Sequence, residues 1–361
     1  MCTKNYNIFY KKFIIYFTHV FYSTDIKIER KNLTSKQFTI QKSISLTELP
    51  KSLDQLSENE IERKSCIGKV MTYTLKNLTS QFVDSGFEWL LPVALSQSTD
   101  PLWPDAGASI EKRIEVDIYG KTVRTTTSMI IHKLIASSLA YPKLFILSPN
   151  IRIEKAERAK TGKHVYEFTQ LDFEARGASS KDVMSLVEDV ICNLVTSLKR
   201  DMKDELTSLC RCDTLEFPKK PFKVYDKQEL EAKYGENWEA AISMETSNPV
   251  WVTNIPREFY DFEDFKTGKW DNYDLFLPQY GEVLSGAKRE WEYAKILKKI
   301  ERDKINKDNY TLVLKLAKQG KLKPTAGGGI GMERLVGWIS GVKHIAETQP
   351  FPRVPGTVHE L

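Results

Sequence analysis

Cysteine is scarce in this 361-residue chain. There are five (Cys2, Cys66, Cys192, Cys210, Cys212), an odd and scattered set. That excludes a disulfide framework and points to a reducing, cytoplasmic setting. Cys210 and Cys212 sit too close together, and without a second ligand pair, for a structural zinc site. The five histidines form no His-x-x-x-His pair, which excludes that type of zinc hydrolase. Long apolar runs are missing as well. The longest, Phe13–Tyr22, contains His19 and is too short to cross a bilayer. No small-residue cleavage site follows it, so secretion is not expected. There is no G-x-x-x-x-G-K-[ST]: Gly162-Lys163-His164 lacks both the upstream glycine and the Ser/Thr. Nor is there a G-x-G-x-x-G, because Met332 stands where its last glycine would be. Charge of one sign is also lacking. The formal net charge is +5, and residues 1–60 hold nine Lys/Arg against six Asp/Glu. The remaining 44 basic and 42 acidic groups nearly cancel, unlike a domain built to coat phosphate backbone.

What is present has a clear order. Residues 1–60 are aromatic and then polar, and read as a poorly structured extension and linker. From Ile61 onward the patterns sharpen. Ile67, Val70, Met71, Leu75, Leu78 and Phe82 predict a helix stopped by Gly86. Gly86–Pro92 reads as a strand ended by proline. Arg113–Tyr119 and Lys121–Thr126 read as a hairpin across Gly120. Ser128–Ala140 looks helical, while Leu144–Leu147, Ile151–Ile153 and Tyr166–Phe173 read as strands. One apolar stripe from Val183 to Leu209 predicts a single helix over Lys181–Leu209. Residues 217–256 read as a small insertion with a helix near Lys227–Tyr234. Strands at Val250–Thr253, Tyr273–Phe276 and Gly281–Ser285 follow, then a helix at Arg289–Asp303 and a Gly-rich strand–turn–helix at Thr325–Ser340. Strand runs separated by short turns, with few crossover helices, predict an α+β domain around a mainly antiparallel sheet flanked by helices.

Three stretches carry chemistry. Gly86–Pro92 alone is compatible with a strand that merely packs. In the second, Arg152-Ile153-Glu154 is followed by a polar loop and then by His164–Glu174. Period two puts Phe168 and Asp172 on one strand face. An aromatic for stacking a base, an arginine for a phosphate and a carboxylate for an ammonium make a plausible site; ordinary ion pairs at a sheet edge are the equal alternative. The third, Thr325–Leu335, holds four glycines in five residues, which lets a backbone approach a ligand closely, or simply pack tightly.

Together these stretches resemble the three signature motifs of class II aminoacyl-tRNA synthetases, in the aspartyl/asparaginyl branch. The resemblance covers residues 61–361. Pro92 matches the proline of motif 1. Arg152–Glu154 with Lys163–Glu174 resembles motif 2, although Lys163 stands where arginine is usual. Gly327–Leu335 resembles motif 3. Gly281–Glu290 and the closing Gly341…Pro350-Phe351-Pro352-Arg353 also fit the branch. The resemblance implies ATP and Mg²⁺. Arg152 and Glu154 would be catalytic. Arg152, Glu154, His164, Phe168, Glu282, Gly331 and Arg334 would bind ATP, with Phe168 and Arg334 sandwiching the adenine. Asp274 and Glu282 would hold the metal. Lys133, Asp172, Arg289 and Ser128 would bind an amino acid, with Asp172 on its α-ammonium. Lys133 and Arg289, two cations at one end of the substrate, imply aspartate in preference to asparagine. One departure is Ile130, where the branch has a substrate-contacting glutamine.

Residues 1–60 are too few for the branch's anticodon-binding barrel. The expectation is therefore a paralogue most like the archaeal asparagine synthetase related to asparaginyl-tRNA synthetase. That group joins aspartate, ammonia and ATP to give asparagine, AMP and pyrophosphate. A stand-alone aspartyl-tRNA synthetase and a non-catalytic paralogue are the alternatives. A homodimer is expected, a membrane is not, and tRNA is a lesser candidate partner.

Overall fold

The computed structural model describes residues 49–102 and 110–360. Most of the expected N-terminal extension, residues 1–48, lies outside them. The frame is an eight-stranded sheet of β1 (Glu88–Leu90), β2 (Lys143–Ile151), β3 (Glu167–Arg176), β4 (Lys223–Asp226), β5 (Val250–Thr253), β6 (Asn272–Leu277), β7 (Gly281–Lys288) and β8 (Thr325–Gly331). Their order is β1-β2-β3-β8-β7-β6-β5-β4. The sheet is antiparallel except for its two outermost pairs, β1–β2 and β4–β5, which are parallel. Residues 217–256, which read as an insertion in the sequence, supply β4 and β5 and so extend the main sheet.

The helices follow from caps and stripes. Helix α1 (Glu58–Asp84) starts at a capping box in which Ser57 and Glu60 satisfy each other's backbone N–H groups. Its Ile67, Val70, Thr74, Leu78 and Phe82 are buried. Helices α2 (Ile130–Leu139) and α3 (Ser180–Asp201) come next, and α3 has a second capping box at Ser179 and Asp182. Then follow α4 (Lys227–Tyr234), α5 (Trp238–Glu245), α6 (Tyr293–Arg302), α7 (Thr311–Lys318) and α8 (Met332–Ser340).

Alternation along β3 decides where the site lies. Leu171, Phe173 and Ala175 join the main apolar core with Val187, Ile191 and Leu194 of α3, Phe82 of α1 and Leu335 of α8. Asp172 and Glu174 point the other way, toward α2, where Lys133 meets them. One face of the sheet is thus an apolar floor and the other carries polar chemistry.

Two predicted elements differ. The strands read as Leu144–Leu147 and Ile151–Ile153 fall differently: β2 runs unbroken from Lys143 through Pro149 to Ile151, and Ile153–Glu154 is a separate short strand paired with Ile110–Lys112. The short β1 pairs only with Leu144–Ile146, so beyond that point β2 has an open edge, where proline is tolerated. The helix read as Lys181–Leu209 breaks at Met202 (φ −121°, ψ 33°) and resumes at Lys203–Ser208. The apolar stripe continues across the break because Leu206 and Leu209 are re-aimed into the same core.

Candidate active site

The predicted residues fall into two linked groups along β3. The first surrounds Phe168. The Arg152 guanidinium lies 5.3 Å from its ring centroid, a cation–π contact. Nε of Arg152 donates to the Thr127 carbonyl at 3.1 Å, which fixes the other end of the side chain. Glu154 is buried, with an oxygen 3.5 Å from Arg158 Nε. His164 bonds the Thr161 hydroxyl through Nδ1 at 2.5 Å and meets Arg158 Nη2 through Nε2 at 2.7 Å. Burial first, and then Arg334, Arg158, Lys163 and Arg152, hold its pKa well below the ordinary histidine value. Five cationic or potentially cationic side chains thus converge on one place, which suits a polyanion.

Lys163, the departure from the motif-2 pattern, lies across Gly281. A Cβ on Gly281 would sit 2.7 Å from its Nζ, and the glycine's φ of +111° itself disfavours a side chain. Arg334 is bound to Glu282 through its carbonyl (3.0 Å) and carboxylate (3.4 Å), and to the Lys163 carbonyl (3.3 Å).

Glu282 stands beside Asp274. The Asp274 carboxylate is buried, pairs with Arg257, and is pushed up to about 7 by burial and by the charges of Glu282 and Glu239. Glu239 on α5 is raised by burial and by Glu282. Mutual repulsion between hard carboxylates is a donor set that suits a divalent cation. Among the described residues no cluster of three His, Cys, Asp or Glu could hold a metal.

The second group is a buried charge network. Lys133 Nζ donates to Asp172 Oδ1 and to the Gly328 carbonyl, both at 2.8 Å, and lies 3.9 Å from Glu174. Arg289 Nε reaches Glu174 at 3.3 Å, Nη2 donates to the Gly327 carbonyl at 3.2 Å, and Nη1 pairs with Asp261. Lys133 and Arg289 therefore meet at one carboxylate, Glu174. They are not bare cations, as the sequence pattern suggested, because a charge this deep needs partners. Ser128 is buried, and its hydroxyl accepts from Ile130 N–H at 3.2 Å in the first turn of α2. Ile130, in place of a polar residue, packs with Phe259 and Tyr260.

The Gly-rich strand β8 is explained by this network. Gly327 and Gly329 lie opposite Glu174 and Asp172. A Cβ at Gly327 would come within 2.1 Å of the Phe173 carbonyl and 2.5 Å of Glu174 Oε2; one at Gly329 would come within 3.0 Å of Asp172. The glycines make room for buried carboxylates and leave their carbonyls free to receive Lys133 and Arg289. Gly331, predicted to approach a ligand, is the N-cap of α8, and a Cβ there would meet only ordinary contacts.

Sequence reading missed Glu174, Asp261, Arg257 and Glu239. Glu174 was within reach, two residues after Asp172 on the same face. Arg257 and Asp261 lie in a loop with no periodicity to announce them.

This mixed sheet, with motif-like arginines on one polar face, has the fold of class II synthetases. The asparaginyl-tRNA synthetase of Pyrococcus horikoshii, solved with asparaginyl-adenylate, aligns with a TM-score of 0.73 at 24% identity, covering 86% of this chain and 76% of that one. The aspartyl-tRNA synthetase of Entamoeba histolytica aligns with a TM-score of 0.64 at 18% identity, covering 81% and 59%. The chain belongs to the family described as tRNA synthetases class II (D, K and N), whose model matches residues 110–355. The asparagine–tRNA ligase of Thermoplasma acidophilum is 28% identical over 258 residues, which is 66% of this chain and 59% of that protein. The asparagine–tRNA ligase of Koribacter versatilis is 29% identical over 325 residues, 83% of this chain and 70% of that protein. The chain thus spans between about three-fifths and seven-tenths of the length of these relatives. Among the described residues no helix is long and apolar enough to cross a membrane.

Proposed function

We propose that the protein is an AMP-forming asparagine synthetase that uses ATP, aspartate and ammonia. The observation that carries this reading is that Lys133 and Arg289 flank one point, Glu174: a substrate carboxylate that took over from the acids now pairing them would meet two cations, which suits a dicarboxylic acid better than a carboxamide. In the first step a β-carboxylate oxygen of aspartate attacks the α-phosphorus of ATP, and the bond to pyrophosphate breaks. In the second, ammonia nitrogen attacks the activated carbonyl carbon. The C–N bond forms, the C–O bond to AMP breaks, and nitrogen gives up a proton.

Arg152 would hold the α-phosphate and the carboxylate being activated, with Glu154 beside it. Phe168 and Arg334 would hold the adenine, and His164 with Lys163 and Arg158 the outer phosphates. Asp172 would take the α-ammonium. Asp274 and Glu282 would hold Mg²⁺, which would neutralise phosphate charge. Ammonia as acceptor is supported by the near-neutral balance of residues 61–361 and by the acidic surroundings of Arg289. There Glu258 is raised well above the ordinary carboxyl range by burial and by Asp100 and Asp261.

A second reading, ligation of an amino acid to tRNA, is favoured by what the relatives are called. One assay separates the two. Incubation with ATP, Mg²⁺, aspartate and ammonium should release asparagine and AMP. Charging of tRNA without free asparagine overturns the proposal.

Assembly as a homodimer belongs to the same proposal. Trp89, Leu91, Val93 and Leu95, on and just after the edge strand β1, are exposed, Leu91 by 89%. An apolar sheet edge of this kind calls for a partner. Sedimentation should find a dimer, and Leu91→Asp should convert it to monomer. A monomeric parent protein would refute the interface.

A further inference from the structure

We infer that Lys299, on α6, is a positioning residue that fixes Arg289 and thereby sets the affinity of the amino-acid pocket; this rests on the pocket assignment above. Lys299 is fully buried, which is exceptional for a lysine and calls for a reason. Its Nζ donates to the backbone carbonyl of Asp261. Asp261 is the residue whose carboxylate pairs with Arg289 Nη1 and whose backbone bridges Arg289. On its other side, Nζ lies 3.7 Å from Oε2 of Glu290, the next residue after Arg289. Glu290 is itself fully buried, and that oxygen has no hydrogen-bond partner. Its other oxygen receives the N–H groups of Trp291 and Glu292, at 3.1 and 3.2 Å. Lys299 therefore grips both the residue that holds Arg289 and the residue that follows it. The Trp270 ring, 5.5 Å away, closes the site.

The second support is that loop 258–262 is laced to the end of β7 by backbone bonds. Phe262 N–H donates to the Lys288 carbonyl and Glu290 N–H to the Tyr260 carbonyl, both at 2.8 Å. One buried ammonium cross-braces these two segments, and Arg289 projects from between them. The charged groups facing Lys299 are Glu290, Asp261, Glu263 and Arg302. Burial lowers its pKa to about 8, against the pull of the carboxylates. Above that pH the ammonium loses its charge, its ion pair with Glu290 goes, and the brace on Arg289 loosens.

The test uses amino-acid-dependent ATP–pyrophosphate exchange by the full chain, with aspartate and with asparagine in turn. KM is then followed for whichever drives exchange. Exchange with asparagine alone would overturn the aspartate reading while leaving the role of Lys299 fully testable. Lys299→Met should raise the amino-acid KM at least tenfold and leave the ATP KM within twofold. Lys299→Met with Glu290→Gln avoids leaving a bare buried carboxylate, so the pair should recover thermal stability while the amino-acid KM stays high. In the unaltered protein the amino-acid KM should climb above about pH 8 and the ATP KM should not. The proposal fails if the double variant folds with an unchanged amino-acid KM, if both KM values move together, or if the pH profile is flat.

Discussion

Replacing Arg152 with Gln is expected to lower ATP–pyrophosphate exchange by about 10²–10³-fold, the loss typical of removing one preorganised charge from a developing anion. Arg152 is tethered at three points: its backbone N–H donates to the Tyr166 carbonyl at 2.8 Å, Nε to the Thr127 carbonyl, and the guanidinium lies over the Phe168 ring. Little of its freedom would remain to be lost when a phosphate arrives, so in the proposed reaction its charge would act at once on the α-phosphorus. The loss should appear in kcat more than in the ATP KM, because the charge it meets grows in the transition state. Lys in its place keeps the charge but not the two-pronged geometry, and should restore only part of the rate. Single-turnover measurement of AMP or adenylate formation reads this directly. Equal rates for Arg152→Gln and the parent would remove Arg152 from the chemical step.

Lys133→Met should have the largest effect on stability, about 3–5 kcal/mol, the usual cost of removing one partner of a buried ion pair. Lys133 and Asp172 are each 2% exposed, and Glu174, 3.9 Å from Lys133, is fully buried. Without Lys133, among the described residues Asp172 has no cation within ion-pair distance and Glu174 keeps only Arg289. Adding Asp172→Asn should return a good part of the stability, since a neutral amide costs less to bury than an orphaned carboxylate. Amino-acid-dependent exchange should stay absent in the double variant even though it folds. Urea denaturation of the three proteins tests the stability claim. A Lys133→Met protein as stable as the parent would mean that water reaches Asp172.

Much of this site is legible in the sequence because its pieces are local. The Arg-x-Glu and the strand from His164 to Glu174 place an arginine, an aromatic and an acid at fixed spacing. Period two then assigns Phe168 and Asp172 to one face without any coordinates. Apolar stripes likewise mark α1 and most of α3, and Gly86 marks the end of α1. The rest was not legible because it depends on what comes together from distant segments. Asp261 and Arg257 lie in an aperiodic loop, and only the packing of that loop against the end of β7 turns them into partners of Arg289 and Asp274. Lys299 looks like one more charged residue on a helix rich in lysine. Its burial follows from α6 docking beneath loop 258–262.

The sequence by itself determined the α+β class and the main helices, which rest on local periodicity, and pointed to the family through the resemblance of its motifs. Only the tertiary structure decided that Lys133 and Arg289 are already paired, that the β8 glycines make room for carboxylates, and that Glu174 joins the two cations. Those facts depend on which buried charges face one another, and burial makes such pairing obligatory wherever the chain happens to bring them together.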